Sequence, residues 1–89
     1  MGNLKIKDGF LLKEVAGTFV IVPVGENLID FSAMITVNET GSFLWQHLKN
    51  ETTVEELAEK LTKEYDIDFE TAKADTQDFV NILKENKII

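Results

Sequence analysis

Residues 35–45 read ITVNETGSFLW. Ile35, Thr36 and Val37 are β-branched, which suits a strand on a pleated surface. From Gly41 the spacing becomes helical, because Gly41, Leu44, Trp45 and Leu48 fall on one face at 100° per residue, with Phe43 pointing the opposite way. Between the two patterns lies Asn38-Glu39-Thr40-Gly41. Asn38 suits an N-cap, since its side-chain oxygen can accept from an orphan amide of the first turn. Gly41 lets another backbone approach that turn. A helix N-terminus can hold a phosphate, but Glu39 in the first turn would repel it. The stretch reads as the joint between a sheet and a helical bundle, not as a catalytic or anion-binding turn.

Upstream, residues 10–15 and 18–24 are rich in branched and aromatic side chains, separated by Ala16-Gly17. That spacing predicts a tight hairpin with positive φ at Gly17 and a bulge. Phe19, Ile21 and Pro23 share one face, and Val20, Val22 and Val24 the other. A strand apolar on both faces is expected to be covered on both or to lie against a partner. Pro23 lacks a donor and should mark a strand end or an edge. Gly25-Glu26-Asn27 reads as a turn, residues 28–31 as apolar with one acid, Asp30, and residues 34–37 as the third strand.

Downstream, helices are expected over residues 39–49, 54–65 and 69–86. Thr53 and Glu56 have capping-box spacing, and Asp68 is placed to cap the last helix. Val54, Leu57, Ala58, Leu61 and Tyr65 form the stripe of the second helix. Phe69, Ala72, Thr76, Phe79, Val80 and Leu83 form that of the third, and Ile88 and Ile89 form an apolar tail. Three strands followed by three helices is an α+β pattern, expected as a single domain over residues 1–89.

The chain has 89 residues, 44% of them hydrophobic, and no cysteine. Disulfides, thiolate metal sites and thiol nucleophiles are therefore excluded. Sixteen acids oppose nine bases, for a net charge of −7, and every base is lysine. Phosphate contacts and bidentate guanine readout draw on basic residues, arginine above all, so nucleic-acid binding is disfavoured. No apolar run is long enough for a secretory signal or a membrane span. Ile6 stands where a myristoylation motif wants Ser or Thr. A soluble cytoplasmic protein without cofactor is the expectation.

Candidate chemistry is sparse. His47 lies mid-helix with no adjacent acid and reads as an ordinary histidine. Glu55, Glu56 and Glu59 precede Lys60 and Lys63 at helix-pair spacing and read as a solvated face. Asp66 and Asp68 read as a turn and a cap, since the calcium-loop spacing does not continue. Two features exceed a structural role. A three-stranded sheet has free edges, which invite strand addition. On the last helix, Ile82 lies beside Asp75 and Asp78, outside the core stripe. It would either face a ligand or pack under the C-terminal tail.

The stretch TVNETGSFLWQHLKNETTVEELAEKLTKEYDIDFETAKADTQDFVNILKENKII resembles the PqqD family, named for a protein of pyrroloquinoline quinone (PQQ) synthesis. The features that carry the resemblance are Val37-Asn38, Thr40-Gly41 and Trp45, then Thr53-Val54-Glu55-Glu56-Leu57, the Tyr65-Asp66 break, and Asp75 with Phe79 and Leu83. The upstream LLKEVAGTFVIVPVGENLIDFSAMI is similar to short stand-alone members. The resemblance implies a winged-helix-like fold, a three-stranded antiparallel sheet followed by three helices. It also implies a recognition element, a peptide chaperone, for ribosomally made and later modified peptides. The leader of the precursor would add as a strand beside the third strand and lie against the third helix. The partner would be a modifying enzyme, often of radical-SAM type. Carried over, the peptide-binding residues would be Met34, Ile35, Thr36 and Val37, facing Ala72, Asp75, Phe79 and Ile82.

The absence of catalytic groups, a free edge and an acidic shoulder able to attract a basic leader agree with that expectation. On this basis proline at Ile35 or Val37 should weaken binding by removing a donor from the ladder. Two alternatives use the same features: self-association through the same edge to give a homodimer, and DNA binding by a winged helix, which the charge opposes.

Overall fold

The computed structural model describes residues 3–24 and 35–89. Strands β1 (Phe10–Val15) and β2 (Thr18–Pro23) form a hairpin, and β3 (Ile35–Val37) lies antiparallel on the other side of β2, giving the order β1-β2-β3. Helices α1 (Glu39–Leu48), α2 (Val54–Glu64) and α3 (Phe69–Glu85) follow. The architecture is α+β, as the order of patterns predicts. The sequence readings over residues 25–34 lie outside the described residues.

Ala16 (φ 53°) and Gly17 (φ 80°) both have positive φ, the combination of a two-residue type I′ turn. Pairing runs unbroken from Val15↔Thr18 to Phe10↔Pro23. The expected bulge is absent, because Ala16 takes the left-handed conformation and two residues suffice to reverse the chain.

This loop sets the phase of the ladder. The pair flanking a two-residue loop exchanges both hydrogen bonds, and the pairs then alternate. Thr18, Val20 and Val22 therefore direct their amides and carbonyls to β1, and Val24 continues the series by donating to the Gly9 carbonyl at 2.8 Å. Phe19 and Ile21 direct theirs to β3, where they pair with Val37 and Ile35. Pro23 falls in the second set and ends β2, so its missing donor costs the hairpin nothing.

Side chains alternate across the sheet. Ile21 and Val37 enter the core, with Phe10, Leu12, Phe19 and Ile35 packed against it. The helices supply Leu44, Trp45, Leu48, Leu57, Leu61, Val80 and Leu83. On the opposite face Val20 is buried, but Leu11 and Val15 of β1 are exposed, so cover on both faces holds only at the centre of the sheet.

Each helix begins where a side chain accepts an orphan amide. Asn38 accepts from Gly41 at 2.8 Å, Thr53 from Glu56 at 3.2 Å and Asp68 from Thr71 at 3.1 Å. Helix α3 ends in a Schellman arrangement. Lys87 has φ 61°, its amide donates to the Lys84 carbonyl at 3.1 Å, and the Ile88 amide donates to Leu83 at 2.8 Å. That geometry folds Ile88 into the core beside Leu83.

An extended segment before β1 fastens this assembly. Leu4 and Thr52 exchange backbone bonds of 2.6 and 2.9 Å, Ile6 donates to the Leu48 carbonyl at 2.9 Å, and Lys7 donates to Ile88 at 2.8 Å. Leu4 is buried and Ile6 half-buried, while Lys5 and Lys7 between and beyond them are exposed. Among the described helices, none is long and apolar enough to cross a membrane.

Candidate functional site

In helix α3, Asp75, Asp78, Phe79 and Ile82 recur at helical spacing, so they share one face. That face stands opposite β3. Between them lies a cleft of about 290 Å³, lined by Ile35, Thr36 and Val37 of β3, by Asn38, Thr40, Gly41 and Leu44 at the start of α1, and by these four α3 residues. Its floor is apolar, with Leu44 fully buried and Phe79 nearly so. Asp75 and Asp78 are exposed at its rim.

Of the residues singled out in the sequence, the fold brings Ile35, Thr36, Val37, Asp75, Phe79 and Ile82 around this one cleft. Ala72 is not among them. It is fully buried in the core, because it lies on the inward stripe one turn before Thr76, whose hydroxyl donates to the Ala72 carbonyl at 2.7 Å. Met34 lies outside the described residues. Ile82 is 41% exposed, which rules out its packing under the C-terminal tail. Asp78, Asn38, Thr40, Gly41 and Leu44 complete the lining. Asp78 was already legible beside Ile82 on the last helix; for the other four the signal in sequence was the Asn38 cap, since a helix capped directly after a strand must start beside that strand's edge.

Gly41 has a different partner from the one its sequence suggests. A β-carbon there would meet Phe79 Cε1 at 3.1 Å, Val37 Cβ at 3.2 Å and Asn38 Oδ1 at 3.3 Å. The glycine makes room for side chains, not for another backbone. It lets the Phe79 ring sit deep between β3 and α1.

The free edge of β3 follows from the ladder phase. Ile35 and Val37 direct their backbone groups to β2, so Thr36, the residue between them, turns its N–H and C=O outward. The sequence reading placed the critical amides at Ile35 and Val37. Those amides bind β2, and the outward donor is that of Thr36, whose side chain is exposed.

The titratable groups with shifted pKa values lie away from the cleft lining. Burial holds His47 below the usual histidine value, the Lys60 charge adds to this, and Glu64 opposes it. The ring of His47 packs against Phe43, with centroids 4.7 Å apart, and Phe43 meets Tyr65 edge-on at 5.8 Å. Burial, then Glu39 and Glu64, push the Tyr65 hydroxyl up. These rings join α1 to the end of α2. Among the described residues, no group of His, Asp and Glu is placed to hold a metal ion. The cleft thus offers an outward peptide group, an apolar floor and an acidic rim, which suit an extended chain.

Comparison with known proteins bears on the same site. The family model described as coenzyme PQQ synthesis protein D (PqqD) matches residues 18–89. Two solved structures share the fold. One is described as TbiB1 in complex with the TbiA(beta) leader peptide, 21% identical over 96% of this chain and 93% of that one, with a TM-score of 0.73. The other is described as lasso peptide synthetase B1 complexed with the leader peptide, 22% identical over 92% and 91% of the two chains, with a TM-score of 0.70. A search of curated proteins gives no match.

Proposed function

The chain belongs to the PqqD family, and we propose that it is a non-catalytic recognition protein for the leader of a ribosomally made precursor peptide. The leader adds to the sheet as a strand beside β3. Thr36 supplies the central backbone donor and acceptor, with Ile35 and Val37 on either side. Alternate leader side chains enter the cleft against Phe79, Leu44 and Ile82, while Asp75 and Asp78 favour a basic residue at the rim. The protein then presents the peptide to a modifying enzyme, of radical-SAM type in this reading.

The observation that carries the proposal is the position of the cleft, directly along the outward edge of β3. A pocket elsewhere on the helices could bind a ligand, but not an added strand. The two structures of like fold, both described as complexes with leader peptides, support the same assignment.

The test is a titration with synthetic leaders of short precursor peptides encoded beside the gene, followed by amide chemical shifts. The expected result is shifts at residues 35–37 and along α3. Thr36→Pro removes the outward donor and spares the bonds to β2, as proline on an edge strand can. It should weaken binding at least tenfold while the fold persists. A folded Thr36→Pro variant of wild-type affinity would exclude strand addition. A tight dimer in sedimentation that protects Thr36 would instead assign the edge to self-association.

A further inference from the structure

A second cleft lies away from β3. It has a volume of about 360 Å³ and is lined by the continuous run from Lys5 to Leu12 together with Trp45, Gln46 and Lys49 of α1 and its C-cap. Ligand sites are commonly roughly 300 to 1,000 Å³, so its size is sufficient. Its charge runs against the rest of the molecule. Three of the nine lysines, Lys5, Lys7 and Lys49, line it, with Asp8 as the single acid, in a chain of net charge −7.

The fold builds this concentration. The Leu4–Thr52 bridge and the Ile6–Leu48 bond hold the first segment extended against the end of α1. Leu4 and Ile6 turn inward and the period of two leaves Lys5 and Lys7 exposed. The same bonds bring Lys49 beside them from more than forty residues away. Next to the cleft runs β1, the other edge of the sheet, with Leu11 half exposed.

We propose that this cleft docks an extended acidic segment of a partner protein. Carboxylates of the segment meet Lys5, Lys7 and Lys49, and apolar residues between them lie along Leu11 and the β1 edge. The site uses the sheet edge opposite β3, so both can be occupied together. It stands whether or not β3 takes up a leader.

The probe is a synthetic peptide of alternating Glu and Val, compared with one of alternating Lys and Val, on the full chain. The acidic peptide should shift the amides of residues 5–12 and 46–49, with affinity falling as salt rises. Binding should drop at least tenfold in the Lys5→Gln, Lys7→Gln, Lys49→Gln variant, whose exposed positions leave folding intact. Leader binding at residues 35–37 should be unchanged in that variant, which separates this site from the first. Equal shifts from the Lys-Val peptide, or none from the acidic one, would overturn the proposal. So would inorganic phosphate producing the same shifts at the same concentration, since the cleft would then be a small-anion site.

Discussion

Gly41 and Phe79 are packed so closely that a β-carbon on the glycine would lie 3.1 Å from the ring's Cε1. Gly41→Ala should therefore move the ring into the cleft. Overpacking costs about 1–3 kcal/mol, and the better helix propensity of alanine returns up to about 1 kcal/mol. We expect a net loss near 1 kcal/mol in urea denaturation and a clear loss of cleft volume, read as weaker leader binding. A gain in stability would mean that Phe79 yields freely.

Among the described residues, two that are not glycine hold left-handed conformations, Ala16 and Lys87. Such a conformation costs an L-residue roughly 1–2 kcal/mol. Lys87→Gly should stabilise the protein by about 1 kcal/mol, and so should Ala16→Gly, less the entropy that glycine adds to the unfolded chain. The two sites are far apart in sequence and structure, so their effects should add. Chemical denaturation of both single variants and the double variant checks this.

Thr52 is buried, and its hydroxyl has no hydrogen-bond partner among the described residues. An unsatisfied buried polar group costs about 1–3 kcal/mol. Thr52→Val keeps the shape and the backbone bridge to Leu4, and should raise stability by about 1 kcal/mol. A loss on substitution would reveal a partner for that hydroxyl.

Acid should act on the fold in two steps. His47 has a folded pKa below its ordinary 6.5, so the unfolded chain takes up the proton first. Stability present above that value is lost as pH falls through the folded pKa. Hydrogen bonds from Thr71 hold Asp68 below its ordinary 3.8, so the cap's contribution is complete above that value and is lost at lower pH. Melting curves from pH 8 to pH 2 should show both, and His47→Gln should remove the first step alone.

Asp75→Asn with Asp78→Asn tests the acidic rim. If the leader carries a basic residue there, the double variant should lose about tenfold in affinity at low salt and less at high salt. An affinity that ignores both the substitutions and the salt would leave the apolar floor as the sole determinant.

The helical half of the molecule was readable because its signals are local. Asn38, Thr53 and Asp68 cap helices with their own side chains, and the stripes behind them show in any short window. Ile82 was readable as a residue outside its stripe. The edge of β3 was harder. Whether Thr36 or its neighbours face outward depends on the count of pairs from the Ala16-Gly17 loop, through β2, to β3. That loop reads as a bulged hairpin because alanine seldom takes positive φ. Ala72 was readable as core from its place in the stripe with Thr76 and Phe79, and only the family resemblance carried it to the cleft. The lysine cleft left a trace in the alternation of Leu4, Lys5, Ile6 and Lys7, but Lys49 reaches it only through tertiary bonds.

Among the three described residues of β3, Thr36 turns its peptide group outward. Any strand that pairs there gains the same donor and acceptor from Thr36, whatever its side chains. A strand that also fills the space before Phe79 gains much more. Backbone pairing at this edge is thus blind to side chains, and the choice among strands falls to what each places in the cleft before Phe79.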